Sequence, residues 1–468
     1  MIFFEYIYLL SLSFLVIYGA HRSLMLFRSR KYQTPIIKTL TKYQDLVCIQ
    51  IPIYNENEVA LRIIDAVLKI EYPENLLEIQ ILDDSTDKTK ELIDQKISTL
   101  KNKNKNIKVI RRKERTGFKA GALSNGLEQT NAKFIAIFDA DFMPNSDFLL
   151  ETIIHFENEK TAFVQARWGH INKNDNLLTK GQALLIDGHF IIEHSSRYIN
   201  SFFNFNGTAG VWRKSAIEKA GGWSGDTITE DLDLSYRALL AGYKAVYLRD
   251  YVVPAELPFT ISAFKSQQYR WMKGSAQVFK KLILKILKSD LSLKEKLEAY
   301  FHLSAHLCYL PMLIVVLFII PMSYIKTINL NFSLEFLIFL TTFCSMFLFY
   351  GFSQKLQNKK IKILEVFIAI ILGVGMSAHC ARAVLSGYFK KRGDFIRTPK
   401  KGDKKLKVSK NLFNQFKGNI KEALIASYLF IGVSFLIYSK LFFSLPFSLI
   451  FLFGFLLVVF TKKRVGER

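Results

Sequence analysis

Apolar positions along the chain fall into two regimes. Long, nearly uninterrupted runs occupy 2–27, 306–324, 334–351, 363–378, 423–438 and 442–460. A bilayer core takes about 20 apolar residues per helix, so these runs predict membrane segments. Between Asp45 and about Lys288 the apolar residues come instead in short bursts. Stretches 46–53, 77–82, 107–111, 134–138 and 162–166 are rich in Ile, Val, Leu or Phe and predict strands. Helix-length segments separate them, such as 59–70, where Val59, Ile63, Ile64, Val67 and Ile70 recur at helical spacing. Strand–helix alternation predicts parallel strands in an α/β layer. A soluble domain is therefore expected, inserted in an α-helical transmembrane region.

Composition narrows the class. At 468 residues the chain exceeds one ordinary core, and half of it is hydrophobic, which excludes a disordered protein. Cys48, Cys308, Cys344 and Cys380 form no CxxC pair, so reduced thiols are expected, with neither a disulfide framework nor a zinc site. The net charge of +24 points to anionic partners. No helix-turn-helix, zinc-finger or aromatic–basic RNA signature accompanies it, so nucleic acid is not expected among them. Lipid surfaces and phosphorylated small molecules remain.

Charge also sets the expected topology. Arg22, Arg28, Arg30 and Lys31 follow the first apolar run, the reverse of a cleavable signal, so 1–28 is expected to be a retained anchor. This orders the N-terminus outside and the large domain in the cytoplasm. Lys462, Lys463, Arg464 and Arg468 put the C-terminus inside. Residues 388–421 carry 12 Lys/Arg against 2 Asp and belong on the cytoplasmic side too. Parity then requires 363–385 to be interfacial or re-entrant, leaving five crossings. The expected division is a first span at 1–28, a catalytic domain at 45–258 and interfacial helices at 259–300. Membrane or interfacial helices follow at 301–387, then a basic loop at 388–421 and a C-terminal hairpin at 422–468.

Carboxylates gather where an α/β layer places its ligands, beyond the carboxyl ends of strands. Asp83-Asp84-Ser85 follows one strand and Asp139-Ala-Asp141 another. The second pair suits a hard divalent cation completed by water and phosphate, although a turn or cap uses the same residues. Asp84 fits either a helix cap or a nucleotide contact. In Thr229-Glu230-Asp231 the helix dipole accounts for Glu230, while Asp231 has the alternative of a general base. Gln267, Arg270 and Trp271 share one helical face, offering a guanidinium for pyrophosphate and a flat ring for a sugar or base. Beyond them, Val278, Leu282, Ile283, Ile286 and Leu287 oppose Lys280, Lys281, Lys285 and Lys288, the pattern of a membrane-surface helix. His21, His155, His194, His302, His306 and His379 form no ligand spacing and are read as structural. No GxGxxG or GxxxxGK[ST] occurs.

In order, DDS, DAD, TED and QQYRW resemble the inverting, processive glycosyltransferases, the group of cellulose, hyaluronan and chitin synthases with a GT-A (Rossmann-like) catalytic fold. Gln165-Ala-Arg-Trp-Gly-His-Ile-Asn172, Phe205-Asn-Gly-Thr-Ala-Gly210 and Gly221-Gly-Trp223 bring the chain closer to the cellulose-synthase-like branch of plant glucomannan mannosyltransferases and xyloglucan-backbone glucan synthases. The resemblance covers about 45–290 well. It implies that Pro52, Tyr54, Asn55 and Glu56 embrace the base and that Asp83 or Asp84 contacts the nucleotide. Asp139 and Asp141 would hold Mg2+ or Mn2+ on the donor diphosphate, with Lys119, Gln267 and Arg270 beside it. Asp231 would be the base. His170, Gly207, Thr208, Glu230 and Trp271 would meet the acceptor. Phe395-Ile-Arg-Thr-Pro-Lys400 resembles a gating loop, with Thr398 and Lys400 reaching the donor and Arg397 departing from the pattern.

The implied activity is β-glycosyl transfer from a nucleotide sugar (UDP-glucose or GDP-mannose) to a growing, β-1,4-linked polysaccharide at the plasma membrane. A lipid acceptor is the alternative.

Overall fold

The computed structural model describes residues 2–35, 44–100, 106–200, 202–326, 332–390, 402 and 419–461. Thr398 and Lys400 lie outside them. Seven strands form one sheet: β1 Val47–Ile53, β2 Leu77–Asp83, β3 Ile107–Ile110, β4 Phe134–Ile137, β5 Thr161–His170, β6 Gly210–Arg213 and β7 Lys244–Ala255. Their order is β3-β2-β1-β4-β6-β5-β7. Alternating strands and helices give β1 to β4 their parallel pairing, as the sequence pattern predicts.

The expectation of an all-parallel layer is corrected at one place. β6 runs antiparallel to both its neighbours, pairing Phe134 with Arg213 and Phe163 with Trp212. Only four residues long, it enters from the loop before it, whose Ala209 N–H already bonds the Ile137 carbonyl. A strand so short carries too little period-2 pattern to be read alone. β7, twelve residues with a register shift against β5, is equally illegible because its alternation breaks at the irregularity.

Both faces of the sheet are buried, which explains the near-continuous apolar runs of β1 and β2. On one face Trp212 lies at ring distances of 4.7 Å from Phe163, 5.5 Å from Phe205 and 6.0 Å from Trp223. Pairs of this kind contribute about 0.5–1.5 kcal/mol each beyond area burial. The same core takes Val278, Leu282 and Ile286 from the long helix Ile261–Lys288. The stripe expected to lie on the membrane therefore faces protein, and only Leu284 and Leu287 of that segment are exposed apolar residues. An amphipathic period records that one face is covered, not by what.

Among the described residues, four helices are long and apolar enough to cross a bilayer: Phe3–Ser29, Leu293–Ile325, Phe336–Lys355 and Ile420–Tyr438. Leu445–Phe460 is shorter, and Ile363–Gly375 with Ser377–Phe389 forms a pair bent by 48°. One end of the bundle touches the catalytic layer. Arg167 of β5 donates to Gln357 at 3.1 Å, just before the bent pair, and Lys280 donates to the Tyr388 carbonyl at its far end. Lys265 reaches Asn419 at 2.8 Å and Glu422 at 2.6 Å, while Asn419 donates to the Val458 carbonyl. At the opposite end Ser323 bonds Ser444, and Phe4 packs on Phe318.

Candidate active site

One cleft opens beyond the carboxyl ends of β1, β2 and β4. Pro52 at the end of β1 and Tyr54 and Glu56 after it line the cleft, whereas Asn55 does not. Asn55 sits at φ 55°, a left-handed conformation that Asn tolerates, and accepts the Thr86 N–H at 2.7 Å while its own N–H reaches Ser85 Oγ. It ties the β1 loop to the β2 loop. In the latter, Asp83 points away from the cleft. Its carboxylate takes Arg111 Nε at 2.7 Å and the Ser85 N–H at 3.0 Å, and it is fully buried. Asp84 lines the cleft and is gripped by Arg112 through both oxygens. Of the two, Asp84 alone lines the cleft. Asp84 caps no helix; the next one begins at Thr89, whose N–H bonds Asp87.

Asp139 and Asp141 follow β4 and both line the cleft. The Asp139 N–H is received by Thr208 Oγ1 at 2.9 Å, and the Asp141 carbonyl takes the Glu256 N–H, so both neighbouring loops fix this turn. Lys119, in the first turn of Phe118–Glu128, bonds Asp139 at 2.5 Å and the Gly207 carbonyl at 2.9 Å, with Glu230 3.9 Å away. Gly207 has φ +81°, and a Cβ there would lie 3.2 Å from Asp231 Oδ2. Its missing side chain is what lets the chain pass between the lysine and the aspartate. Gln165 holds this loop from β5, donating to the Thr208 and Ala209 carbonyls and accepting the Asn206 N–H.

Glu230 and Asp231 open the helix Glu230–Leu240, with Thr229 before it. The motif helix Ile261–Lys288 crosses closely because position 274 is glycine; a Cβ there would sit 2.5 Å from Thr229 Cγ2. Lys281 locks the crossing through Asp233 at 2.8 Å. As the spacing predicts, Gln267, Arg270 and Trp271 share the face that lines the cleft. Asp139, Asp141, Glu230, Asp231, Arg270 and Trp271 thus converge on one volume.

Burial raises the pKa of Glu230 and of Asp231, with Lys119 opposing both shifts. Burial works against the Lys119 ammonium, yet Asp139, Glu230 and Asp231 outweigh it and hold its pKa above the ordinary value. Arg270 is pulled down to about 10 by burial, partly offset by Asp139, Asp141 and Glu56. The site is therefore a charge-alternating, partly desolvated pocket where electrostatic effects exceed those in water.

Asp139 and Asp141 provide hard oxygens suited to a divalent cation. Among the described residues no third His, Cys, Asp or Glu joins them to complete a cage. That donor set fits Mg2+ or Mn2+, which keep water and take substrate phosphates.

Behind the cleft lies a second cavity of about 300 Å³. Trp168, Asn206, Thr229, Asp231 and Trp271 line both, so Asp231 sits at the junction. The inner cavity continues past Phe190, His189 and Glu193 to Arg22, Tyr309, Phe349 and Tyr350 of the apolar helices. Buried Thr229 Oγ1, Trp168 Nε1 and Gln267 Oε1 around the junction have no hydrogen-bond partner among the described residues.

Two further positions depart from expectation. His170 is not at the cleft; its Nε2 lies 2.9 Å from buried Asp187, and this pair braces β5 against the helix Leu177–Asp187. Thr208 stands behind the cleft wall, acting through Asp139 rather than lining it. Conversely, Arg115 lines the cleft with its guanidinium 3.3 Å from the Tyr54 ring centroid. Nothing in the sequence distinguishes it from the basic residues around it. Asn206 and Trp168 were also missed, although both lie within the quoted motifs.

The glycosyl transferase family 2 profile matches residues 48–218, and that of glycosyl transferase family group 2 matches 134–353. Probable glucomannan 4-beta-mannosyltransferase 2 of Oryza sativa subsp. japonica is 37% identical over 410 residues, covering 83% of this chain and 69% of the relative. Glucomannan 4-beta-mannosyltransferase 9 of Arabidopsis thaliana is 45% identical over 250 residues, 52% of this chain and 46% of the relative. With that second relative the chain aligns over about half the relative's length. Among solved structures, a mannosyltransferase from Pyrobaculum calidifontis in complex with GDP-Man and Mn2+ superimposes with a TM-score of 0.58. It covers 83% of this chain and 100% of the other, at 17% identity, a likeness of fold. The GT-A layer, its cleft and the 37% identity over most of its length together establish that the chain belongs to glycosyl transferase family 2, in the cellulose-synthase-like branch of the glucomannan 4-beta-mannosyltransferases.

Proposed function

We propose that the protein is a membrane-embedded, inverting β-glycosyltransferase that moves a hexose from a nucleotide sugar onto a growing β-1,4-linked glycan. The observation that carries this reading is the position of Asp231 and Trp271 at the junction between the cleft lined by Asp139, Asp141, Lys119 and Arg270 and an inner cavity. The nucleotide lies toward Tyr54, Asp84 and Arg115, and the diphosphate toward Lys119 and Arg270. Asp139 and Asp141 would hold Mg2+ or Mn2+, which when bound supplies positive charge to the departing nucleoside diphosphate. Arg270 and Lys119 stabilise the same developing charge electrostatically. Asp231 takes the proton from an acceptor hydroxyl whose oxygen attacks the anomeric carbon from the face opposite the leaving group. One displacement of an α-linked donor gives a β-glycoside, and no enzyme nucleophile is needed.

A glycan acceptor is favoured over a lipid by the wall of the inner cavity. Aromatic rings at Trp168, Phe190, Trp271 and Tyr309 offer stacking surfaces, while His189, Glu193, Gln182 and Gln268 stand between them. Hydroxyls can satisfy these groups and the orphaned Thr229 and Trp168 atoms. An acyl chain would leave them desolvated, at roughly 1–3 kcal/mol each. GDP-mannose is the preferred donor because the similar curated proteins are mannosyltransferases, and UDP-glucose is the alternative.

In this proposal the catalytic domain faces the cytoplasm and the enzyme resides in the plasma membrane. Two supports for the five-crossing arrangement are the basic residues after the first helix and the contacts on either side of the bent pair, Arg167 of β5 with Gln357 before it and Lys280 of the motif helix with Tyr388 at its end. In that arrangement the bent pair lies at the cytoplasmic interface, and apart from the protein-facing stripe of 278–286 the divisions drawn from the sequence keep their places.

Purified protein incubated with a panel of labelled nucleotide sugars tests the reading. Release of nucleoside diphosphate with ethanol-insoluble, β-1,4-glycosidase-sensitive product supports it. Chloroform-extractable label would establish the glycolipid alternative, and no release from any donor would overturn the proposal.

A further inference from the structure

A chain of four hydrogen-bonding side chains, His194, Asn206, His189 and Glu193, passes the junction that Asp231 lines, and its proton positions follow from chemistry alone. His194 is fully buried, and its Nε2 lies 3.2 Å from the Asn204 carbonyl and 2.6 Å from Asn206 Oδ1. A carbonyl only accepts, so Nε2 carries the hydrogen. Its Nδ1 is buried with no partner among the described residues, as befits a bare nitrogen, and burial keeps the ring neutral. Because His194 donates to Asn206 Oδ1, the Asn206 amide cannot be flipped, and its Nδ2 donates to His189 Nε2 at 3.0 Å. That leaves the His189 hydrogen on Nδ1, where it meets Glu193 Oε2 at 3.0 Å. Arg197 and Arg22 hold Glu193 in turn, at 3.4 Å and 4.0 Å. Every link has one direction.

His189 and His194 are five residues apart in the π-helical segment Gly188–His194. A π-helix bonds residue i to residue i+5, which makes these two positions neighbours, and their rings, 4.3 Å apart, face Asn206 together. Asn206 lines both the cleft and the inner cavity, and its neighbour Gly207 adjoins Asp231. An amide nitrogen has two hydrogens, and the bond to His189 uses one.

We propose that Asn206 is an acceptor-binding residue. It gives its second amide hydrogen to a non-reacting hydroxyl of the terminal acceptor sugar, so that the reacting hydroxyl faces Asp231. His189 and His194 are positioning residues that fix which end of the amide points into the junction. The inference rests on the glycan-transfer reading above. A neutral hydrogen bond of this kind corresponds to about a tenfold change in binding.

The test uses the full-length enzyme in detergent with a donor, a soluble β-1,4-oligosaccharide acceptor and separate assays of transfer and of donor hydrolysis by water. Asn206→Ala is expected to raise the acceptor KM about tenfold and to increase hydrolysis relative to transfer, with donor KM unchanged. His189→Leu should do the same. His189→Gln, whose carbonyl can still accept from Asn206, should recover most of the acceptor KM. Unchanged acceptor KM in Asn206→Ala overturns the proposal, as does a parallel rise in donor and acceptor KM in all three variants. Failure of wild-type enzyme to transfer sugar to any acceptor overturns the underlying functional reading instead.

Discussion

Gly207→Ala probes the close passage of the chain between Lys119 and Asp231. The residue has φ +81°, and its carbonyl is fixed by Lys119 at 2.9 Å. An alanine in left-handed backbone costs roughly 1–2 kcal/mol. The new Cβ would also stand 3.2 Å from Asp231 Oδ2 and 3.4 Å from Lys119 Nζ, so one side of the pocket must give by a few tenths of an ångström. Gln165 resists movement of the loop through three bonds, which directs the displacement onto Asp231. A misplaced base of this kind costs about 10²-fold in turnover. The expected outcome is a melting temperature lowered by a few degrees, donor KM within about threefold of wild type and kcat reduced about 10²-fold. Nucleoside-diphosphate release and thermal denaturation of the purified protein measure both. Wild-type turnover in Gly207→Ala, or loss of donor affinity in step with turnover, would refute the reasoning.

Further outcomes follow from the same charges. Burial pushes the Asp231 carboxyl up to about 6, and a base must be ionised, so kcat/KM should be full above that pH and fall about tenfold per unit below it; Asp231→Glu should move the limb, and a profile flat to pH 4.5 would contradict the role. Lys119→Met removes the cation facing Asp139, Glu230 and Asp231, so turnover should drop about 10²-fold and the acid limb shift to higher pH. Chelation should abolish transfer, and Asp141→Asn should raise the Mn2+ concentration for half-maximal activity at least about tenfold, measured by metal titration of donor turnover.

The sequence was most legible where chemistry and local pattern coincide. DAD, TED and the Gln267–Arg270–Trp271 face could be read because a strand end, a helix start and an i, i+3, i+4 stripe each dictate where a side chain points. They converge because Gly274 permits one helix crossing and Gly207 one loop passage, close approaches that no periodicity displays. Asp83 and His170 were misplaced for a related reason. Polar residues in a motif can serve the fold, here through Arg111 and Asp187, and only burial separates the roles. The π-helical turn at 188–194 hid His189 and His194 because their five-residue spacing matches no α-helical face. β6 was too short to read, and its antiparallel pairing depends on partners distant in sequence. The amphipathic stripe after QQYRW had the right period and the wrong partner, since a lipid surface and a protein core select the same residues.

The most direct measurement is donor turnover by Asp231→Asn beside wild type, with donor binding followed on the same samples by calorimetry. The account predicts unchanged affinity for the nucleotide sugar, within about threefold, and transfer reduced by at least about 10³-fold. Transfer at the wild-type rate would contradict it.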